Sequence, residues 1–347
     1  MRGLPIRSSF LLVLLTLMIL PGCSARDDSS PAASDRSNAS GDAEALRVGQ
    51  IRTNLRPLME AAGQLEGLRY GVKWSSFENG PQAIEAEHAG SVDIAYMADT
   101  PPIFAQAAGV AVHIVATTRA PRGARNVALL VRRQSPVRKV ADLRGKRVAI
   151  VPGTITQYLL VEALKEVGLT YNDVEHLNLQ APEAITALQR GDTDAVVLVD
   201  PFAATAVASG TADVLRTGEG LLSGSNVLVA TDTALADSSR GAEIGDFLRR
   251  VKAAIDWSTK NEAAWAAVYG HVNRLPPEVA RDTVRRGTTH LVPIDAAAIQ
   301  SQQRQEKAFY QLGLLAEELD VAKQYDDRYN PLLFPGPTRT SPVTPTR

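Results

Sequence analysis

Part of this chain occurs twice. PQAIEAEHAGSVDIAYMAD, from Pro81 to Asp99, aligns without a gap on PEAITALQRGDTDAVVLVD, from Pro182 to Asp200, 101 positions further on. Identical residues stand at Pro81/Pro182, Ala83/Ala184, Ile84/Ile185, Ala86/Ala187, Gly90/Gly191, Asp93/Asp194 and Asp99/Asp200. Each copy reads as a helix opened by proline, a glycine stop, an apolar strand and a closing acid. Internal repetition constrains a fold more than any local motif. Here it predicts two α/β lobes of similar build, and 347 residues suffice for two cores.

The pattern around the repeat alternates strands and helices. LRVGQI (46–51), a helix over 55–66, a strand over 70–76 and a helix over 82–89 lead into the strand 92–96. Gly90 stands where a helix C-terminus turns left-handed, and Pro101-Pro102 opens the next helix, where a missing N–H costs nothing. Strands follow at 111–117 and 126–133. A second lobe opens with the strand 147–151, the turn Pro152-Gly153-Thr154 and a helix to Val167, capped by Thr154 or Thr156. That helix is expected to bury Leu160, Leu164 and Val167, with Gly168 as its stop. The strand 174–179, the repeated unit and a return strand at 226–231 complete the alternation. Helices over 244–259, 262–269, 277–286 and 296–312 form the last third, expected to pack on lobe one. Alternation implies mixed, mostly parallel sheets. The expected division is lobe one at 45–125 plus 223–330, lobe two at 126–222, and a disordered tail at 331–347 in which Leu332, Leu333 and Phe334 are able to dock.

The N-terminal stretch reads as a processing signal. Arg2 and Arg7 precede an apolar run from Phe10 to Leu20, too short for a membrane span of about 20 residues. Leu20-Pro21-Gly22-Cys23 resembles the lipobox of bacterial lipoproteins, with proline at a position where alanine or serine is more usual. The resemblance implies a signal peptide over 1–23, cleavage before Cys23 and its lipidation. A plain secretory peptide is the alternative, but the chain's one cysteine falls where the lipobox requires it. Residues 24–44, rich in Ser, Asp and Ala, read as a flexible linker.

Composition excludes several functions. A formal net charge of −1 and 5% aromatic residues suit neither a nucleic-acid groove nor a base-stacking surface. One cysteine rules out an internal disulfide or a cysteine-based metal cluster, and the five histidines lack metal-ligand spacing. No phosphate loop and no nucleophile elbow is present. The chain therefore reads as no enzyme and as needing no cofactor or metal.

In open α/β sheets, ligands bind in loops at the carboxyl ends of strands. These loops carry Arg52, Thr53, Asn79, Gly80, Asp99, Thr100, the run Gly153-Thr154-Ile155-Thr156, Asp200 and Asn226. The Gly153–Thr156 turn would offer N–H groups and hydroxyls to an anion at a helix N-terminus. Asp99 and Asp200 either cap the helices they open or face each other and receive a ligand's amine.

FENGPQAIEAEHAGSVDIAYMADTPPIFAQAAG, VADLRGKRVAIVPGT with YLLVEALKEVGL, and Asp200-Pro201-Phe202 resemble the aliphatic-sulfonate, taurine and nitrate group of ABC-transporter substrate-binding proteins. The likeness runs from about Leu46 to Pro331. It implies a hinged, two-lobe type II periplasmic-binding fold. The role implied is a lipid-anchored, extracytoplasmic, monomeric solute-binding protein that takes a small oxyanion and delivers it to permease subunits. Arg52, Thr53 and the Gly153–Thr156 turn would hold the oxyanion, with Asn79, Thr100 and Asn226 as polar walls and hinges near Arg125 and Leu222. Met97-Ala98 stands where Gly and Thr or Ser are usual, and Val199 where Trp is usual. The alternative ligand within the fold is a thiamine-pyrimidine or other heterocyclic precursor, for which Phe77, Tyr158 and Phe202 are the stacking candidates. The fold also hosts enzymes, which are cytoplasmic.

Overall fold

The computed structural model describes residues 45–335, apart from 53, 54 and 122. The signal peptide, Cys23 and the linker lie outside the described residues, as does the tail beyond 335. The strands are β1 (Leu46–Ile51), β2 (Val72–Phe77), β3 (Ile94–Ala98), β4 (Val112–Arg119), β5 (Ala124–Arg132), β6 (Arg147–Ile150), β7 (Glu175–Asn178), β8 (Ala195–Val199), β9 (Ala212–Gly218), β10 (Asn226–Thr231) and β11 (His290–Val292). The helices are α1 (Leu55–Ala61), α2 (Gly80–His88), α3 (Pro101–Ala107), α4 (Ile155–Glu166), α5 (Ala181–Arg190), α6 (Phe202–Ala208), α7 (Asp232–Ala236), α8 (Ser238–Lys260), α9 (Glu262–Asn273), α10 (Pro277–Arg286), α11 (Ala296–Gln311) and α12 (Asn330–Leu333).

Two sheets result. The first runs β2-β1-β3-β10-β4-β11 and the second β7-β6-β8-β5-β9. Laid side by side they share one plan, with β11 as the addition. In each, the fourth strand is antiparallel to its neighbours. It is also the strand next to an inter-lobe crossover in sequence: β5 follows one crossover and β10 follows the other. The sheets are mixed, as expected. These entering strands bring more antiparallel pairing than alternation alone implies, with β1–β2, β1–β3, β6–β7 and β6–β8 parallel.

The repeat is visible in chemistry as well as topology. Asp93 accepts the backbone N–H and guanidinium of Arg47, and Arg47 also donates to the carbonyl of Gly90. Asp194 accepts the same groups of Arg147, which donates to Gly191. Gly90 and Gly191 take the left-handed conformation, with φ of 69° and 81°, which a Cβ would disfavour. Each lobe thus fastens the turn between its repeated helix and strand to the start of its β1- or β6-type strand.

Helix α4 buries Leu159, Leu160, Ala163 and Leu164 against the second sheet. Val167, the expected third member of that stripe, is 40% exposed, because it is the C-cap and the helix has already ended. The last third does not pack on lobe one alone. Helix α8 does, burying Ile244, Phe247, Leu248, Val251 and Ile255 with Leu46, Val48 and Leu58. Helix α11 joins both lobes, since Phe309 lies 5.0 Å from the ring of Phe104 and 5.7 Å from that of Tyr158. The start of the tail is ordered by the same apolar surface. Leu333 is buried, Leu332 is exposed, and Lys252 lies over the ring of Phe334.

Candidate functional site

Between the two sheets lies a cavity of about 240 Å³. Part of its wall is built from the residues just before, or just within, the first turns of three helices: Asn79 and Gly80 of α2, Gln180 and Ala181 of α5, and Thr154 to Thr156 of α4. First-turn N–H groups have no partner within a helix, and the aligned peptide dipoles place partial positive charge there. Three such termini meet at one cavity.

Arg52 adds a full charge. Its backbone is left-handed, φ 55°, a conformation that costs a non-glycine residue about 1–2 kcal/mol and that collects at ligand clamps. Its N–H donates to the carbonyl of Phe77 at 2.7 Å, which ties the turn to β2. The guanidinium stacks 4.6 Å over the ring of Phe202 from the opposite lobe. Its Nε is buried with no acceptor, and burial lowers the pKa of the group. Thr53, the neighbour expected to assist, lies outside the described residues.

The remaining expected residues divide. Asn79 caps α2, its Oδ1 accepting from the Gln82 N–H at 3.1 Å, while its amide donates across the cleft to Gln180 Oε1 at 3.3 Å. Gly80 is there because nothing larger fits: a Cβ would come within 2.2 Å of Pro101 Cγ. Asn226 lines the cavity, its backbone exchanging hydrogen bonds with the Thr118 hydroxyl. Thr154, Ile155 and Thr156 line it too, but the two hydroxyls serve the turn itself. Thr154 Oγ1 donates to the Val151 carbonyl at 2.7 Å and accepts from the Thr156 N–H, and Thr156 Oγ1 accepts from the Val151 N–H. Gly153 is outside the wall, its N–H held by Gln157 Oε1 at 2.8 Å. The turn therefore offers its helix terminus to the cavity and keeps its threonine side chains for its own geometry.

The two repeat acids have parted. Asp99 does not reach the cavity and caps nothing. It is 2% exposed, its Oδ2 accepting from Gln305 Nε2 at 2.8 Å and from Ser223, while its carbonyl accepts from Gln302. Burial pushes its pKa up to about 6 against those hydrogen bonds. Thr100, also expected in the wall, is fully buried and donates to Gln305 Oε1. Helix α11 engages both residues through Gln302 and Gln305, while their neighbours Ala98 and Pro101 line the cavity. Asp200 does line the cavity. Its Oδ1 accepts from the Ala204 N–H at 2.9 Å, capping α6, and its Oδ2 from Arg286 at 3.0 Å. Burial raises its pKa, and Arg286 pulls against that. The acids do not face each other.

Sequence reading missed the wall supplied by the helical third. Ser258, Trp265, Tyr269, Thr283 and Val284 line the cavity, with Trp265 and Tyr269 in an edge-on pair 5.6 Å apart. Thr283 is 3% exposed and its hydroxyl has no partner. No local motif marks these residues, whereas Gln180 was findable as the repeat equivalent of Asn79. Met97 and Val199, the departures from the resembled pattern, both line the wall. The expected stacking aromatics are elsewhere: Phe77 packs in the core under β1, Tyr158 lies on Phe309, and Phe202 lies under Arg52.

Residues 68–264 match the sequence profile of the NMT1/THI5-like family. The chain belongs to this family. An Escherichia coli relative named for binding aliphatic sulfonates is 32% identical over 286 residues, 81% of this chain and 88% of that one. The structure of the alkanesulfonate-binding protein SsuA of Xanthomonas axonopodis pv. citri, bound to MOPS, is 28% identical. It superposes with a TM-score of 0.75 over 82% of this chain and 98% of its own. The periplasmic aliphatic sulphonate binding protein SsuA of Escherichia coli is 29% identical, with a TM-score of 0.70 over 81% and 91%. This NMT1/THI5-like chain thus shares the periplasmic-binding fold of those proteins.

Proposed function

We propose that this chain is an extracytoplasmic solute-binding protein that encloses a small organic oxyanion, of which an aliphatic sulfonate is the type, and delivers it to the permease of an ABC importer. One observation carries the reading: three helix N-termini and the guanidinium of Arg52 converge on one partly open cavity. That field suits a strong anion. The buried acid in the wall, Asp200, is neutralised by Arg286, and Glu78 stands at an exposed edge. The names of its relatives support the same class of ligand. Micromolar capture needs about 8 kcal/mol, which a few charge-assisted hydrogen bonds at about 1.5–3 kcal/mol each supply. The protein binds and releases without chemistry. A lipid on Cys23 would hold it, as a monomer, at the outer face of a membrane. Residues 45–125 with 223–330 would move as one body against 126–222.

Closure is supported by contacts around the cavity rim, where Arg52 on Phe202, Asn79 to Gln180 and Arg286 to Asp200 each join groups from opposite sides. The crossovers touch behind them, the Ala124 N–H donating to the Leu222 carbonyl at 3.3 Å. Calorimetric titration of the full chain with 1-propanesulfonate, benzenesulfonate and nitrate tests the assignment. Saturable binding of a sulfonate is expected, weakened about tenfold to a hundredfold in Arg52→Ala. Failure of every small oxyanion to bind would refute it. Incorporation of labelled palmitate that disappears in Cys23→Ser tests the anchor.

A further inference from the structure

The cavity has a charge account that selects among oxyanions. Among the described residues its lining holds two acids, Glu78 and Asp200. Glu78 is exposed. Asp200 is 6% exposed, with both carboxylate oxygens taken, one by the Ala204 N–H and the other by Arg286. Arg286 ends α10, so the cation that silences this acid arrives from the helical third rather than from lobe two. Away from Arg52 and the helix termini the wall mixes apolar side chains, Leu55, Leu58, Ile255, Trp265 and Val284, with neutral polar ones such as Asn226, Ser258 and Thr283. A ligand ammonium held away from the Glu78 edge would lose its hydration beside a buried carboxylate that is already paired, which is costly.

We infer that Arg286 is a specificity-determining residue: by engaging Asp200 it admits sulfonates with an uncharged apolar body and rejects amino-sulfonate zwitterions. The inference rests on the oxyanion reading above. It assigns to Arg286 a role exerted through Asp200, so it is a positioning residue. With Arg286 removed, Asp200 becomes a buried acceptor inside the cavity and a zwitterion gains a partner that an alkyl body does not need.

Taurine and 1-propanesulfonate test this, because they differ by an ammonium in place of a methyl group. Titrations of both into the native full chain are expected to favour propanesulfonate by at least about tenfold. In Arg286→Gln that ratio falls by at least about tenfold or reverses, while propanesulfonate binding persists and certifies the fold. Arg286→Lys, which keeps a cation beside Asp200, retains the native preference. The double variant Arg286→Gln with Asp200→Asn recovers the preference without an ion pair, a result that a purely structural role for Arg286 would not produce. Equal binding of the two ligands by the native chain overturns the inference, as does an unchanged ratio in a propanesulfonate-competent Arg286→Gln. If no small oxyanion binds the native chain, oxyanion capture itself has failed, and this selectivity with it.

Discussion

Asn79 and Gln180 stand at equivalent positions, each two residues before its copy of the repeat and 101 positions apart, and they hydrogen-bond to each other across the cleft at 3.3 Å. Each stands immediately before its repeated helix. Two copies of one unit therefore meet head to head, with their helix N-termini facing a shared space. A positive field at the cleft is thus a consequence of the duplication itself, and Arg52 strengthens a preference that the arrangement already has.

That origin predicts a separation of cap from charge. Asn79→Asp keeps a side-chain acceptor for the Gln82 N–H, so the melting temperature should hold or rise slightly. The added negative charge should weaken sulfonate binding by roughly tenfold, since it opposes the anion at short range. Calorimetry alongside thermal melts checks both halves. Unchanged affinity would show that the α2 terminus does not act on the ligand.

Gly80 should tolerate no side chain. A Cβ there would overlap Pro101, and both residues sit where α2 and α3 start, so neither is able to yield without moving a helix. Gly80→Ala is expected to cost about 1–3 kcal/mol of stability, read as a lower denaturant midpoint.

Asp99 gives a pH dependence. Burial raises its pKa from 3.8 to about 6, so between those values the folded chain holds a proton that the unfolded chain has released. The cost of the buried carboxylate is full above about pH 6 and is relieved as the pH falls towards about 4. The groups facing it are Gln302, Gln305 and Ser223, with the phenols of Tyr158 and Tyr325, whose own pKa values its charge helps to raise. Asp99→Asn should be more stable than the native chain at pH 8 by up to about 3 kcal/mol, and the difference should shrink by pH 4. A difference that does not vary with pH would contradict this.

Phe309 should matter beyond its size. It is fully buried between Phe104 and Tyr158, which belong to different lobes. Phe309→Ala is expected to cost about 3–5 kcal/mol and to broaden the thermal transition as the lobes lose a shared contact.

Much of the architecture was legible because a repeat speaks about whole lobes. The paired sheet plans, the left-handed glycines and the N-terminal caps follow from periodicity and from glycine and proline placement. Within the site, Arg52, Asn79, Gly80 and Asp200 were legible because strand ends are where open sheets bind ligands. Asp99 was not, despite its symmetry with Asp200, since its fate depends on Gln302 and Gln305, about two hundred positions away in a helix with no repeat counterpart. Trp265, Tyr269 and Arg286 escaped notice for the same reason. A helical stripe declares that it will be covered, but not what it will cover.

Helix α11 lies across the backs of both crossovers, forming a groove lined by Arg119, Gly123, Glu219, Leu221, Ser301 and Arg304 that shares no residue with the cavity. In the closure proposed above, a change of angle between the lobes would alter the width of this groove. The groove would then report on closure from the side opposite the cavity. A fluorophore attached through Ser301→Cys, in a Cys23→Ser background, would turn each capture of ligand into a light signal without touching the ligand.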